Sequence, residues 1–158
     1  MLKNIAGIIE SVKISPNITL VTLYNTQVSN REKIFRKLAE NGINLDIISQ
    51  SPSFGGDITL SFSLPDKDLA KTLEIAATFK TQYEKTEINI CSNNLTISFF
   101  GAEIINTPGI AASIFETFSQ KEINIILITT SDVSVSCLVA KSDEVKVMKM
   151  LQEYNLID

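Results

Sequence analysis

The chain lacks several of the residues that enzymes most often use for acid–base and nucleophilic chemistry. Its 158 residues include no histidine, no tryptophan and only two cysteines. Histidine is the commonest general base and the usual partner of a serine or cysteine nucleophile. Two cysteines without histidine do not make an ordinary zinc site, and neither GxxxxGK[ST] nor GxGxxG is present. We therefore expect no catalysis, no metal and no cofactor in this chain.

Charge and long apolar runs are also limited. The net charge is −4 and no basic residues cluster, which argues against a nucleic-acid partner because phosphate binding requires a concentrated positive surface. No apolar run approaches the roughly 18 residues of a membrane helix, and no signal peptide is recognisable. With 44% hydrophobic residues, we expect a globular protein of the cytoplasm with no membrane partner.

The sequence does contain an internal repeat. Residues 35–49 align with residues 115–129 at an offset of 80, and the preceding strands, beginning at Asn17 and Asn94, align at an offset of 77. Such a period indicates two copies of one supersecondary unit. The different offsets predict three extra residues in the loop before the helix of the second copy.

The first copy has the pattern β-α-β-β-α-β. Its first helix is expected over 29–41, with Ser29 or Asn30 as N-cap and Gly42 as the stop. A later strand alternates apolar and polar residues from Ile58 to Leu64. The other predicted elements are strands at 19–23, 44–49 and 87–91, and a helix that buries Leu69, Leu73 and Ala76.

The second copy repeats this order without the sixth element. Its predicted elements are strands at 95–99, 124–129 and 133–139, a helix at 109–121 that buries Ile110, Ala111, Ile114, Phe115 and Phe118, and a helix at 143–154 that buries Val145, Met148 and Leu151. An unpaired apolar stretch, residues 5–14, is expected to supply the missing strand and cover a sheet edge. Pairing of this stretch with the first copy or with another chain is the alternative.

These elements predict an α+β fold of two ferredoxin-like βαββαβ units. Each unit should have an antiparallel sheet with its helices on one face. The expected bounds are 15–92 for the first unit, which is inserted, and 1–14 plus 93–158 for the second, which the N-terminal strand completes.

Five stretches carry a resemblance to a known family: residues 106–118 (NTPGIAASIFETF), 123–125, 128–136, 43–50 and 57–62. They resemble the tandem ACT domains of aspartokinase (aspartate kinase) regulatory regions. The first stretch is similar to the family's Pro-Gly loop and first helix, the next two to its following two strands, and the last two to the matching parts of its first ACT unit. The resemblance covers nearly the whole chain and includes an N-terminal strand used in the same way.

The resemblance implies a sensor of L-lysine or L-threonine that controls the phosphorylation of aspartate. It also implies a homodimer formed through ACT units and association with an aspartokinase catalytic domain or subunit. The catalytic half has no counterpart in this sequence, so the chain is a regulatory fragment, a separate regulatory subunit or a free-standing ACT protein.

The resemblance also implies two effector sites near strand–helix loops. A helix N-terminus would receive the α-carboxylate of the amino acid, while strand carbonyls and side-chain amides would receive its ammonium group. Asp46 could pair with the side chain of lysine. By position, one site would be lined by Ser29, Asn30, Gln50, Asn124 and Ile125, and the other by Asp46, Gly109, Ala111 and Ser131.

One loop departs from the family pattern. The first ACT unit usually carries an acidic residue and Pro-Gly before its helix, whereas residues 25–30 here read NTQVSN. This difference raises the alternative that the first site binds another ligand, or that the chain is a dimerisation scaffold with altered effector sites.

Overall fold

A computed structural model describes residues 5–53, 55–82 and 85–157, and within these ranges it contains six strands and four α-helices. Short 3₁₀ turns precede the helices. No helix of the described part is long and apolar enough to cross a membrane. In chain order the elements are β1 (Ser11–Gln27), α1 (Arg31–Glu40), β2 (Ile48–Gln50), β3 (Asp57–Pro65), α2 (Leu69–Gln82), β4 (Glu87–Phe100), α3 (Ile110–Gln120), β5 (Ile125–Ser131), β6 (Ser134–Ala140) and α4 (Glu144–Glu153).

The chain forms two compact units. The first unit contains residues 17–93, and the second contains the residues up to 16 together with those from 94 onward. Strand neighbours run β2-β3-β1-β4 in the first unit and β1-β4-β6-β5 in the second. The β1–β3, β2–β3, β4–β6 and β5–β6 pairs are antiparallel. The predicted α+β fold of two ferredoxin-like units is therefore confirmed.

The long strands β1 and β4 correct two details of the prediction. The strand expected at 5–14 begins only at Ser11 and continues to Gln27, and the strands expected at 87–91 and 95–99 form one strand. Residues 1–4 lie outside the described ranges. Asn17 and Asn93 each adopt a left-handed backbone, both with φ of 60°. Asparagine tolerates this conformation. Each strand therefore continues across its asparagine, where the sequence analysis had ended one strand and begun another.

The first strands of the two units are related by an offset of 76, so the predicted offset of 77 is wrong by one residue. A shift of one residue exchanges the two faces of a strand, so an alignment at the offset of 77 matches residues on opposite faces of the two strands. In β1, Thr19, Val21 and Leu23 oppose Leu64, Phe62 and Leu60; in β4, Leu95, Ile97 and Phe99 oppose Val139, Cys137 and Val135.

Each unit has its own hydrophobic core between its sheet and its two helices. In the first unit Ile34 and Leu38 of α1 pack on the sheet, and Phe35 meets Phe62 edge-on with ring centroids 6.1 Å apart. In the second unit Ile114 and Phe118 of α3 occupy the equivalent positions, and Phe118 meets Phe99 edge-on at 6.3 Å. The matching burial of Ile34 with Ile114, and of Leu38 with Phe118, agrees with the offset of 80 for the helices.

Two helices, α2 and α4, bury a different face from the predicted one, whereas α3 buries Ile110, Ile114 and Phe118 as predicted and leaves only Phe115 exposed. Leu73 of α2 is 43% exposed and Val145 of α4 is 64% exposed, while Phe115 and Met148 are also exposed. Apolar residues occupy more than one stripe of these helices, so periodicity alone does not choose between stripes. The sheet beneath each helix selects Thr72, Ile75, Ala76 and Phe79 in α2, Ile110, Ile114, Thr117 and Phe118 in α3, and Val147, Met150 and Leu151 in α4.

Candidate effector site

The N-terminus of α3 is open in the second unit. Gly109 is the N-cap and adopts a left-handed backbone with φ of 90° and ψ of 2°, which glycine accepts without strain. No described side chain caps this end, and the first helical bond joins the Ser113 N–H to the Gly109 carbonyl at 2.9 Å. The preceding N–H groups have no partner inside the helix. Together with the helix dipole they favour an anion beside Gly109 and the half-buried Ala111.

Ser131 lies at the same end of the second unit as Gly109. The turn after β5 meets the loop before α3, where the Gly101 N–H donates to the Val133 carbonyl at 3.0 Å. The Ser131 hydroxyl lies 2.8 Å from the Ser134 hydroxyl and accepts a bond from the Val133 N–H at 3.3 Å. The order of the elements thus places three of the predicted residues of the second site, Gly109, Ala111 and Ser131, at one end of the unit.

Asn124 and Ile125 lie at the opposite end of the second unit, where α3 ends and β5 begins. Asn124 is exposed and Ile125 is half-buried. Both line a groove of about 460 Å³ between α3 and β5, together with Phe115 and Phe118. Because β5 is the last strand of the sheet order and pairs with β6 on one side, this groove runs along a sheet edge.

In the first unit the helix begins differently. A 3₁₀ turn over Val28–Asn30 leads into α1, and Gln27 precedes this turn in an extended conformation. Ser29 is exposed. Asn30 occupies the N-cap position of α1, as predicted, but its side chain makes no capping hydrogen bond and is only 3% exposed.

Gln50 is brought to the start of α1 by a hydrogen bond that the sequence did not suggest. The Arg31 guanidinium donates through Nη1 to Gln50 Oε1 at 2.6 Å. Ser29, Asn30 and Gln50 therefore gather at one end of the first unit. Asp46 is exposed toward the other end, where its N–H donates to the Ser63 carbonyl at 3.0 Å.

The sequence analysis did not identify two polar residues near the start of α1, Thr26 at the end of β1 and Arg31 in the helix. Thr26 is fully buried beside Ile58 of β3, because β1 carries an irregularity between Leu23 and Thr26 that shifts its register. A strict alternation of inward and outward residues cannot reveal such a shift. Arg31 reads in the sequence as an ordinary solvated charge, and only its contact with Gln50 distinguishes it.

The described residues contain no group of three or more histidine, cysteine, aspartate or glutamate side chains able to hold a metal ion. The cysteine Cys137 is buried in the core of the second unit, where desolvation raises the pKa of its thiol to about 12. A thiol in that environment stays protonated at neutral pH and is a poor nucleophile.

Comparison with known proteins gives consistent matches along the chain. The ACT domain family matches residues 25–78 and 97–154. Aspartokinase 2 of Bacillus subtilis (strain 168) is 32% identical over 149 residues, which cover 92% of this chain and 36% of that protein. The chain thus spans about a third of the length of this curated relative.

Solved structures share the fold. The regulatory subunit of aspartate kinase from Thermus flavus superposes with a TM-score of 0.81 at 20% identity, covering 93% of this chain and 98% of that one. Aspartokinase III of E. coli in complex with lysine and aspartate superposes with a TM-score of 0.72 at 19% identity, covering 96% of this chain and 34% of that one.

Proposed function

Because the chain belongs to the ACT domain family, as a tandem pair of the aspartokinase regulatory kind, we propose that it senses an end-product amino acid and transmits the signal to an aspartokinase catalytic domain or subunit. The proposed effectors are L-lysine and L-threonine, acting in the cytoplasm. The structure of E. coli aspartokinase III in complex with lysine and aspartate supports L-lysine as an effector, and L-threonine is proposed from the family resemblance.

The observation that carries the proposal is the open N-terminus of α3. Gly109 leaves the first-turn N–H groups free of intrahelical partners, and Ser131 places a hydroxyl at the same end of the unit. Such an end suits the α-carboxylate of an amino acid. The exposed carboxylate of Asp46 is suited to pair with an ammonium group of the ligand. Because Asp46 lies in the first unit, we propose that it reaches the second site from the first unit of a paired chain.

The edge formed by β5 supports pairing between two copies of the chain. Residues 125–128 of this strand are apolar and half-buried, and on one side the strand has no neighbour among the strands that the structure describes. An uncharged edge of this kind readily adds another strand. Side-by-side pairing would bring Asn124 and Ile125 of one copy toward Ser29, Asn30 and Gln50 of another, which completes the first proposed site.

The catalytic partner is proposed from the lengths of the relatives. The chain covers about a third of Aspartokinase 2 of Bacillus subtilis, whereas it covers 98% of the Thermus flavus regulatory subunit. These relatives support either a regulatory part of a longer chain or a separate regulatory subunit. The chain itself is proposed to have no kinase activity, which a coupled assay with aspartate and ATP would test.

The deciding experiment is calorimetric titration of the purified chain with L-lysine and L-threonine, separately and together. Saturable binding of either amino acid supports the sensor, and its stoichiometry shows whether one or both units respond. Absence of binding, together with a concentration-dependent dimer in sedimentation, would instead favour a dimerisation scaffold. The altered loop at residues 25–30 is the observation that keeps this second candidate open.

We predict that Gly109→Val weakens effector binding at least tenfold, because the side chain crowds the open N–H groups and disfavours the left-handed N-cap. The matched control is Gly42→Val, which introduces a similar backbone strain at φ of 71° near the other end of α1, in open space. Both variants should lose comparable stability in thermal melts. Equal affinities for wild type and Gly109→Val in calorimetry would refute the assignment of this site.

A further inference from the structure

A groove of about 520 Å³ lies between α1 and α2 of the first unit. Its floor is apolar, because Ile75 and Phe79 of α2 line it and are only 6% and 8% exposed. Three cations of α1 line it as well, namely Lys33, Arg36 and Lys37. Sites that bind small molecules usually enclose about 300–1,000 Å³. The groove is thus large enough for a small molecule, and it combines an apolar surface with positive charge.

The three cations form a group that the scattered order of charges along the chain did not reveal. They are spaced by three and four residues, which places them on one face of α1. Glu32 and Glu40 also line the groove, and Glu32 is ion-paired with Arg36. Three cations against two carboxylates leave a formal charge of +1, whereas the whole chain carries −4. The groove therefore favours an anionic ligand.

The second unit shows that the fold does not require cations at these positions. The offset of 80 relates α1 to α3, and the counterparts of Lys33, Arg36 and Lys37 are Ser113, Glu116 and Thr117. Thr117 is fully buried, whereas Lys37 is exposed. The positive charge of the groove is therefore specified by the sequence of the first unit and not by the shared fold.

The facing helix α2 also differs from its counterpart. Phe62 and Cys137 occupy equivalent register positions in β3 and β6, which gives an offset of 75 for this part of the repeat. The same offset makes Thr78 the counterpart of Glu153, and Glu153 is ion-paired with Lys121 in the second unit. Thr78 is exposed and lines the groove. A small neutral side chain thus stands where the second unit has a carboxylate.

The core beneath the groove is not completely filled. An apolar cavity of about 10 Å³ lies there, and Ile75, Ala76 and Phe79 line it. This is about the smallest space that holds one water molecule. At the offset of 75, Ala76 occupies the position of the buried Leu151 of the second unit. The floor of the groove therefore has unfilled space behind it, so Phe79 has room to adjust to an apolar group.

We propose that this groove binds an amphipathic organic anion. The apolar body of the ligand lies on the floor formed by Ile75 and Phe79, and its acidic head meets the ammonium groups of Lys33 and Lys37. Each lysine carries a flexible charged donor on an apolar stem, so the pair suits a carboxylate or sulfonate above an apolar surface. The site does not depend on the proposed function, although Ser29 of the first proposed effector site lines the groove as well.

The test uses the aromatic monoanion anilinonaphthalene sulfonate, whose fluorescence rises in apolar sites. Displacement of this probe by octanoate is compared with displacement by acetate, which lacks the apolar body, and by octylammonium, which carries the opposite charge. We expect saturable binding of the probe and displacement by octanoate alone. Equal displacement by octylammonium would indicate a merely apolar surface, and equal displacement by acetate a merely ionic one. Either result, or the absence of saturable binding, would overturn the proposal.

The first variant removes the two lysines that meet the acidic head. Lys33→Gln with Lys37→Gln should weaken binding of the probe at least fivefold, because charge-assisted hydrogen bonds to the anion are lost. The control combines Lys67→Gln with Lys149→Gln, which makes the same change in net charge at exposed lysines that do not line the groove. The control should bind within twofold of wild type. Equal weakening in both double variants would indicate a general effect of charge and would overturn the site.

The second variant introduces the residue of the second unit. Thr78→Glu places a carboxylate in the groove, where it competes with the ligand for the lysines, and should weaken binding at least fivefold. Ala77→Glu is the control, because Ala77 is an exposed neighbour that does not line the groove. Both substitutions are on the surface, so thermal melts should match wild type even if the double lysine variant does not fold. Binding of the probe by Thr78→Glu within twofold of wild type would overturn the proposal.

Calorimetry with L-lysine and L-threonine separates this groove from the proposed effector sites. None of the substitutions changes a proposed effector residue, so amino-acid binding should be the same in Thr78→Glu as in wild type. Loss of amino-acid binding together with probe binding would place the amino acid in the groove and overturn a separate site. Loss of probe binding alone supports the groove, whether or not the wild-type chain binds either amino acid.

Discussion

The two units share one topology but begin their first helices in different ways. In the second unit, a longer loop ends in the left-handed Gly109 and closes over Ile104 and Ile110. In the first unit, a 3₁₀ turn leads directly into α1, and the buried residues at this end are Thr26 and Asn30. The same scaffold therefore supports an apolar, well-packed helix start and a polar one with unmet hydrogen bonds. Differences of this kind concentrate in loops, because loops tolerate change that the core does not.

The sheet edges of the two units differ as well. β2 of the first unit has only three residues, all exposed, and includes Ser49 and Gln50. β5 of the second unit has seven residues and begins with four apolar, half-buried ones. Short polar edges resist pairing with another chain, and long apolar edges promote it. The comparison suggests that the second unit carries the stronger association surface.

The helix-free faces of the two sheets are alike in one respect. A cross-strand hydroxyl pair, Thr22 with Ser61, joins β1 to β3 at 3.1 Å in the first unit. Ser98 and Ser136 form the equivalent pair between β4 and β6 at 2.8 Å in the second. The offsets of 76 and 75 that relate these residues are those of the core strands, so the repeat extends to both faces of the sheet.

The largest expected effect comes from giving the second unit the polar residue of the first. Ile110→Asn should lower the free energy of unfolding by about 3 kcal/mol or more, because a buried isoleucine is lost and an amide is left unpaired. The control Ile105→Asn, at a side chain that is 60% exposed, should change it by about 0.5 kcal/mol at most. Urea unfolding measures both. If Ile110→Asn and the control have equal free energies of unfolding, burying an unpaired amide at this helix start costs no stability. The comparison between the two units would then carry no energetic difference.

The second prediction concerns the N-terminal segment, which packs on the second unit. A Cβ atom at Gly101 would lie 2.1 Å from the Ile8 carbonyl oxygen, so Gly101→Ala must displace backbone and should cost about 2–3 kcal/mol. Gly7→Ala is the control, because nothing lies within 4 Å of a Cβ there. Thermal melts of the two variants should differ clearly. If they coincide, residues 5–10 do not support this unit.

The third prediction uses a difference between the cores. Register places Cys137 of the second unit where the first unit has Phe62, and burial raises the thiol pKa from 9.0 to about 12. The unfolded chain loses this proton above pH 9 while the folded chain keeps it, so stability falls as pH rises between these values, by at most about 1.4 kcal/mol per pH unit.

Urea unfolding at pH 8 and pH 10.5 tests this thiol effect. The difference between the two pH values should be smaller in Cys137→Val than in wild type. Cys91→Ala serves as the control and should behave as wild type. An identical pH difference in all three proteins would contradict a role for the buried thiol.

The smallest effect on stability is expected at the sheet edges. We expect Ile126→Lys in β5 to shift the chain toward monomer in sedimentation velocity, because a charge on an edge strand opposes pairing. The free energy of unfolding of the monomer should change by about 0.5 kcal/mol or less. Ser49→Lys in β2, the edge that the proposed pairing places beside β5 of another copy, should weaken association as well, whereas Ser142→Lys at an exposed residue of the turn before α4 is the control and should leave association unchanged. Association that survives Ser49→Lys but not Ile126→Lys would contradict pairing of β5 with the first unit of another copy.

Local sequence signals predicted the elements well but not their exact extent. Hydrophobic periodicity and the position of glycine predicted the order of helices and strands, the repeat of the first helix, and the end of α1 before Gly42. These signals depend only on residues that are close in the sequence. The continuity of β1 and β4 did not follow, because Asn17 and Asn93 read as breaks. Their left-handed conformations, which the pairing of long strands stabilises, allow the strands to continue.

The predicted site residues show the same division. Gly109, Ala111 and Ser131 were placed by a loop pattern, and the topology does bring them to one end of the second unit. Their role in binding stays a prediction. The bond between Arg31 and Gln50 joins residues far apart in the chain, and the burial of Thr26 depends on an irregularity in β1. No neighbouring residues signal either feature.

The sequence by itself determined the repeat, the fold class and the order of elements, because these depend on hydrophobic periodicity and turn residues within a short window. Only the tertiary structure decided which stripe of α2 and α4 is buried, how far β1 and β4 extend, and that Thr26 and Asn30 are buried without partners among the described residues. Those outcomes depend on which distant strand or helix packs against each residue, and a one-residue change in register reverses them.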